Sequence, residues 1–297
     1  MLEDKVVFDQ YINLRLSPKH PPVPPYHEGK YLEHFFYDTY RSYQKMMGPV
    51  EKEYIPIFWT AYIENPKHEF RVPPPSYVQK ILDELDDSKD YFTVIQSSNG
   101  INFNLPSNTT VFSCAGEGVY WPIECKAIIP IPLVGKPLEN IRIEKDILCS
   151  FIGSNTHPCR EELKNLMDDK DDALFQMGRW DFSFSQTRVA AFENAIHRSK
   201  FTLCPRGFGP TSYRLYEAIQ CGSVPVYIYD EPWLPYTNDI QWDELCVMIH
   251  VDDVRDTYEI IKAKTDKEIE GYLSKAEEYY EEYFTFTGIS NQIIKEL

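Results

Sequence analysis

The sequence predicts an α/β protein built from two consecutive α/β domains, each on a mostly parallel sheet, followed by a closing helix. Short apolar runs alternate with segments whose apolar residues recur every three or four positions, the pattern of strands joined by helical crossovers. This alternation occurs twice, before and after a proline-punctuated stretch at Pro130–Asn140. The chain of 297 residues also exceeds the roughly 100–200 that one domain usually takes. The predicted boundaries are 1–135, 141–265 and 266–297.

The first 30 residues read as an irregular surface segment because of Pro21, Pro22, Pro24 and Pro25. A mixed aromatic and polar helix is predicted over Tyr31–Met47, then an apolar strand over Ile55–Trp59. Pro73-Pro74-Pro75 precedes a helix with apolar residues at Tyr77, Val78, Ile81, Leu82 and Leu85. Strands follow at Tyr91–Ile95 and Val111–Ala115, ended by Ser97-Ser98-Asn99-Gly100 and Gly116-Glu117-Gly118. Pro130–Asn140 reads as a linker. The second series has strands at 146–152, 173–177, 201–204, 224–229 and 247–251, with helices at 158–167, 188–198 and 211–221. From Asp266 onward, Ile269, Tyr272, Leu273, Ala276, Tyr280 and Tyr283 keep helical spacing, which predicts one long acidic amphipathic helix packing back toward the N-terminal domain.

Composition excludes several function classes. With 30 basic against 46 acidic residues the net charge is −16, which argues against nucleic acid as a partner, since neutralising many phosphates needs a basic face. The chain carries 17 Phe, 21 Tyr and 5 Trp, too many buriable rings for a disordered chain. The apolar run Ala127–Gly135 is far below the roughly 20 residues of a membrane span and holds two prolines. No basic segment followed by an apolar one marks the N-terminus, so no signal peptide is expected. Seven scattered cysteines form no Cys-x-x-Cys pair, and their odd number suits a reducing, cytoplasmic compartment, in which the sequon at Asn108 stays unused. There is no zinc signature, no P-loop and no Gly-x-Ser-x-Gly. Asp169-Lys170-Asp171 is formally an Asp-x-Asp, but it sits in a charge run after a helix and reads as solvated, so no metal ligands are assigned.

The segment Lys200–Asp230, KFTLCPRGFGPTSYRLYEAIQCGSVPVYIYD, reads as strand, glycine-bearing loop, helix and strand. Its loop lies at the carboxyl end of a parallel strand, where open α/β sheets bind ligands. Gly207 and Gly209 let the backbone approach a ligand, and Thr211 and Ser212 open a helix whose N-terminus favours an anion. Arg206 and Arg214 are spaced to meet one anion, and two or three charge-assisted bonds at about 1.5–3 kcal/mol each can hold a diphosphate without a metal. Glu217 shares the Arg214 face one turn deeper, placed to accept from vicinal hydroxyls such as those of a ribose. The bland reading of that spacing is a common Arg–Glu pair on a solvated helix. A second strand end, Gly153-Ser154-Asn155 with Arg160 in the next helix, also suits phosphate contact, or is an ordinary turn with a surface arginine.

These residues carry a resemblance. Ser-Lys-Phe, Cys-Pro-Arg-Gly, Ser-Tyr-Arg-Leu-Tyr-Glu-Ala and Gly-Ser-Val-Pro-Val within 199–226, with Pro235 and Trp242 beyond, resemble the exostosin family of glycosyltransferases. Weaker similarity, at Ile57-Phe58-Trp59-Thr60, Phe92–Gln96 and Phe151-Ile152-Gly153, extends over most of the chain. The chain is similar to the short soluble microbial and viral members, among them xylosyltransferases of large algal viruses that act on capsid glycans. The resemblance implies the glycosyltransferase-B architecture, two Rossmann-like domains facing a cleft, with an acceptor-side N-terminal domain and a nucleotide-sugar-binding C-terminal domain. It implies an inverting transfer of a sugar, xylose as best guess, from a UDP-sugar donor to a glycan acceptor, with no metal or other cofactor. Arg206 and Arg214 would meet the diphosphate and Glu217 the ribose. Inversion needs a base for the acceptor hydroxyl. Glu117 is the first candidate and Glu64 the second, with His68 and Glu69 weaker. A non-catalytic glycan-binding module and a retaining transferase are the alternatives.

Overall fold

The structure, a computed structural model that describes residues 30–64, 74–179 and 186–297, divides into two units. The first comprises the described residues up to Ile131 together with Phe286–Leu297, and the second comprises Pro132–Thr285.

The first unit holds a four-stranded sheet, β1 (Glu53–Tyr54), β2 (Tyr91–Ile95), β3 (Thr109–Ser113) and β4 (Ala127–Pro130), in the order β1-β2-β3-β4 with every pair parallel. Every residue of β2 and β3 is buried, as expected of parallel strands covered on both faces. Helix α1 (Leu32–Met47) buries Leu32, Phe36 and Tyr40 at spacings of four, and Phe36 and Tyr40 meet Phe92 of β2 edge-on. Helix α2 (Trp59–Glu64) begins at a buried tryptophan whose Nε1 donates to Thr93 Oγ1 at 2.8 Å. Helix α3 (Pro75–Asp83) starts at a proline, which suits its first turn, and buries Val78 and Leu82.

Two expectations in this unit are corrected. The predicted strand Ile55–Trp59 ends as a strand at Tyr54. Ile55 N–H still donates to Phe92 O at 2.8 Å, but Pro56 has no N–H to continue the ladder, and Trp59 already opens α2. Ala127–Pro130, not recognised as a strand in the sequence, is the edge strand β4, and an edge is where a proline at a strand end does no harm.

The second unit holds a five-stranded parallel sheet, β5 (Ile147–Ser154), β6 (Ala173–Gly178), β7 (Ser199–Pro205), β8 (Val224–Tyr229) and β9 (Val247–His250). The spatial order is β6-β5-β7-β8-β9, so the winding reverses between β5 and β7. Helices α4 (Pro158–Met167), α5 (Gln186–Arg198) and α6 (Tyr213–Gln220) connect the strands, and α7 (Thr257–Lys262) follows β9. Phe151, Leu163, Phe201, Leu203, Val226, Ile228 and Ile249 form the centre of its core. A crevice at the carboxyl ends of the strands flanking such a reversal is the usual ligand position in open parallel sheets.

The predicted single C-terminal helix is two. Helix α8 (Asp266–Tyr283) starts in a capping box of Thr265 and Glu268 and belongs to the second unit. It stops at Phe284, which is fully buried with ring centroids 5.8 Å from Tyr216 and 5.7 Å from Trp242. Helix α9 (Phe286–Lys295) belongs to the first unit, where Phe286 stacks on Phe35 at 4.1 Å and Ile289 and Ile293 are buried. Among the described residues no helix is long and apolar enough to cross a membrane.

Candidate active site

In the second unit the residues singled out by sequence gather at the carboxyl edge of the sheet, on the ends of β5 and β7 that flank the reversal. The loop 206–212 leaves β7 and runs into α6. Ser212 caps that helix, its Oγ accepting from the Arg214 N–H at 3.4 Å. The loop closes on itself through Gly207 N–H to Thr211 O at 3.0 Å and stays joined to β8 through Arg206 N–H to Ile228 O at 3.0 Å. Gly209 and Thr211 are buried, while Phe208 stands exposed at the loop tip.

Three arginines converge here with different duties. Arg160, in the first turn of α4, is 6% exposed and gives its guanidinium to backbone carbonyls: Nε to Arg206 O at 2.9 Å, one terminal nitrogen to Ser154 O at 2.7 Å and the other to Pro205 O at 2.9 Å. It also lies over the Phe151 ring, 5.2 Å from its centroid. Arg160 thus fastens the end of β5 to the end of β7, so the surface-arginine alternative is corrected. Burial, with the Arg214 charge second, pulls Arg160 down to about 10. Gly153 lies beneath the same ring, and a Cβ there would come within 2.5 Å of Phe151 Cζ. Asn155 is exposed, its side-chain amide donating to Glu161 at 3.1 Å.

Arg214 uses Nε and one terminal nitrogen on Ile152 O at 3.0 and 2.8 Å, stacks on Phe192 at 4.0 Å, and pairs with Glu217 through the other nitrogen. Glu217 is 3% exposed, which corrects the solvated-pair alternative: the Arg–Glu pair exists, but it is interior. Arg206 pairs with Asp230 just past β8 and donates to Phe208 O at 3.1 Å. Burial works against the Asp230 charge, yet the Glu231 N–H at 2.7 Å and Arg206 outweigh it and hold that carboxyl below its ordinary range. Around this loop Arg206 Nε, Thr211 Oγ1 and Thr156 Oγ1 are buried polar atoms without a hydrogen-bond partner. Orphaned groups of this kind call for an explanation, and a ligand that they bind supplies one. Asp230, which the sequence reading passed over, sits at the strand-end position where a partner for the loop arginine is to be sought.

The base candidates lie in the first unit. Glu117 is exposed on the loop after β3, which is held by Ser113 Oγ donating to Gly116 O at 2.6 Å and by Ile123 N–H donating to Glu117 O at 2.9 Å. Glu64 closes α2, is partly buried and is hydrogen-bonded to the Ser97 side chain just past β2. Burial, opposed by that bond and reinforced by the charge of Glu33, pushes Glu64 up from 4.5 to about 7. His68 and Glu69 lie outside the described residues. Among the described residues no group of three or more His, Cys, Asp or Glu side chains is arranged to hold a metal ion.

Comparison with known proteins bears on what this arrangement is. The model of the exostosin GT47 domain matches residues 91–264, more than half of the chain. A probable glucuronoxylan glucuronosyltransferase of Arabidopsis thaliana, F8H, is 38% identical over 85 residues, covering 29% of this chain and 18% of that protein. Ribitol-5-phosphate xylosyltransferase 1 of Danio rerio is 30% identical over 111 residues, covering 36% of this chain and 26% of that protein. The matched stretch is therefore a minor part of each relative's length. Among solved structures, TarM overlaps 74% of this chain and 56% of its own at 11% identity with a TM-score of 0.41, a likeness too distant to carry an argument. The matched family model spans most of the second unit together with β2, β3 and β4 of the first, and the chain belongs to the exostosin GT47 family.

Proposed function

We propose that this protein is an inverting, metal-independent glycosyltransferase that moves a sugar, xylose as best guess, from a UDP-sugar to a hydroxyl of a glycan acceptor. The observation that carries the reading is the arginine-lined loop at the β5–β7 reversal, with orphaned donors at Arg206 Nε, Thr156 and Thr211 beside the N-terminus of α6. Phosphate oxygens are the kind of acceptor that these donors lack, and charge-assisted bonds at about 1.5–3 kcal/mol each supply the affinity that a metal gives elsewhere. A bound diphosphate takes over Arg206 from Asp230 and Arg214 from Glu217, which frees the Glu217 carboxylate for the ribose hydroxyls. As the glycosidic bond to the diphosphate breaks, the leaving charge grows against these preoriented donors.

Glu64 takes the acceptor proton in this reading, ahead of Glu117. A base works best when its proton affinity lies near the working pH, and Glu64 at about 7 meets that condition. The seven free thiols favour a reducing, cytoplasmic setting.

The test is calorimetric titration with UDP in EDTA, followed by a screen of UDP-sugars for UDP release with simple sugar acceptors. UDP binds in EDTA, and Arg206→Ala weakens it by about tenfold or more, as the loss of one such bond requires. Unchanged UDP affinity in both Arg206→Ala and Arg214→Ala overturns the assignment, and turnover restored only by Mn²⁺ overturns metal independence.

A further inference from the structure

The first unit contains a carboxyl that the proposed reaction does not use. Glu33, the second residue of α1, is fully buried. Its Oε1 accepts the backbone N–H of Thr60 at 3.0 Å and of Gln96 at 3.2 Å. Its Oε2 is buried and has no hydrogen-bond partner. Among the described residues no ion pair reaches Glu33 or Glu64.

The groups around Glu33 fix its place closely. Thr60 Oγ1 accepts from Gln96 N–H at 3.1 Å and Ser97 N–H at 2.8 Å, while Gln96 Oε1 accepts from Leu32 N–H at 2.7 Å. The start of α1, the start of α2 and the end of β2 are therefore tied into one network. Glu64 lies one helical turn beyond Thr60 and bonds Ser97, the residue after the Gln96 that Glu33 holds. Both carboxyls thus act on the same strand end, Glu33 through its backbone and Glu64 through its side chain.

We propose that Glu33 is the positioning residue of Glu64, an interior carboxylate that anchors α2 to the end of β2 and presents a fixed negative charge behind the base. This rests on the reading of Glu64 as the group that takes the acceptor proton. Two titratable groups beside Glu33 carry no charge in the working range: burial, reinforced by the Glu33 charge, pushes the Tyr54 hydroxyl and the Cys114 thiol well above their ordinary values. His34 follows Glu33 in α1, with its Nδ1 accepting the Tyr31 N–H at 3.2 Å. Two backbone N–H donors on one oxygen favour the ionised form of Glu33, which acts on Glu64 as a like charge. Burial still raises Glu33 above its ordinary value, with the Thr60 and Gln96 bonds opposing. When the acceptor oxygen bonds to the anomeric carbon and the diphosphate departs with its electron pair, the hydroxyl proton passes to Glu64. That transfer removes one of two neighbouring negative charges, so the repulsion favours the forward direction.

Carbon-13 NMR of protein labelled at the glutamate carboxyls, titrated from pH 4 to 9, tests the pair without reference to any substrate. In the unmutated protein Glu64 titrates near neutrality, and the Glu33 carbon shows a second inflection at the same midpoint. In Glu33→Gln, which keeps an oxygen acceptor for Thr60 and Gln96, the Glu64 midpoint falls toward the ordinary glutamate range, and Glu33→Asp restores it in part. With the UDP-sugar that supports turnover, the acid limb of kcat/KM moves down in the same direction, while UDP affinity is unchanged. A Glu33 carbon blind to the Glu64 transition overturns the pairing even if Glu33→Gln fails to fold, as does a folded Glu33→Gln with an unmoved Glu64 midpoint. Wild-type turnover in Glu64→Gln instead overturns the base assignment, and with it the positioning role, while the titration still reports whether the two carboxyls are coupled.

Discussion

Glu64 shows how a single side chain carries both a cost and a function. Its carboxyl sits at about 7 in the folded protein against 4.5 ordinarily, so the folded state holds the proton more tightly. Stability is therefore unaffected by this group below about pH 4.5, falls as pH rises toward 7, and stays lowered above that. Replacing it with glutamine removes the cost. Glu64→Gln is expected to be about as stable as the parent at pH 4.5 and more stable by roughly 2–4 kcal/mol at pH 8, since each unit of pKa difference is worth about 1.4 kcal/mol. Urea denaturation at the two pH values measures this, and equal stability at pH 8 contradicts it. The sequence shows neither the burial of Glu64 nor the presence of Glu33, because both depend on α1 and α2 meeting the end of β2. Arg160 teaches the same lesson from the other side. Its residue type and position suggested a phosphate ligand, yet its three backbone bonds make it the fastener of the loop. Local chemistry names the residues of a site, whereas tertiary contacts divide the labour among them.

At the scale of elements, the strand–loop–helix–strand unit at 199–229 was readable almost to the residue, because every level of the sequence agrees there. Apolar runs give β7 and β8, Ser212 caps α6, and Gly222 at φ +65 ends the turn after it. Where one residue breaks a pattern, the prediction failed: Pro56 cuts β1 short, and the prolines of 130–140 hid β4. The glycines separate the two kinds of constraint. Gly100 and Gly118 have φ of +89 and +102, and a Cβ on either would lie 1.8 or 2.2 Å from Trp121 O, so the fold itself demands them. Gly207 has no such demand, since a Cβ there would meet Arg160, Thr211 and Thr156 atoms at 3.5–3.8 Å, ordinary contact. Gly207→Ala is therefore expected to leave stability within about 0.5 kcal/mol of the parent, as tolerated surface changes do. If the diphosphate lies against this loop, the same methyl weakens UDP binding by about tenfold, roughly 1.4 kcal/mol. Thermal denaturation and UDP titration on one sample read both effects. Lost stability with unchanged UDP affinity would show that the glycine serves folding and not the ligand.

For the molecule as a whole, the order of the chain differs from the order of its units. The chain passes from the first unit to the second after Ile131 and returns after Thr285, so the last helix completes the sheet domain that the first helix began. Sequence periodicity ran through this return without a mark, because Phe284 and Phe286 keep an apolar pattern while serving different cores. In the first unit α9 contributes Ile289 and Ile293, 0% and 1% exposed, and Lys52 Nζ donates to Glu296 O at 3.1 Å. Burying such side chains contributes about 1.5–3 kcal/mol each, so the two isoleucines alone account for roughly 3–6 kcal/mol. A domain's whole stability is usually about 5–15 kcal/mol. Removing residues 286–297 is therefore expected to bring the first unit close to unfolding while leaving the second unit, with β7, β8 and the arginine-lined loop, intact. Hydrogen exchange should then accelerate by orders of magnitude at the amides of β2 and β3 and stay slow at those of β7 and β8. UDP should still bind the truncated protein, although transfer that depends on Glu64 should be lost. Equal protection of both sheets in the truncated chain would mean that α9 lies on the first unit without holding it together, and loss of UDP binding would mean that the nucleotide site needs more than the second unit.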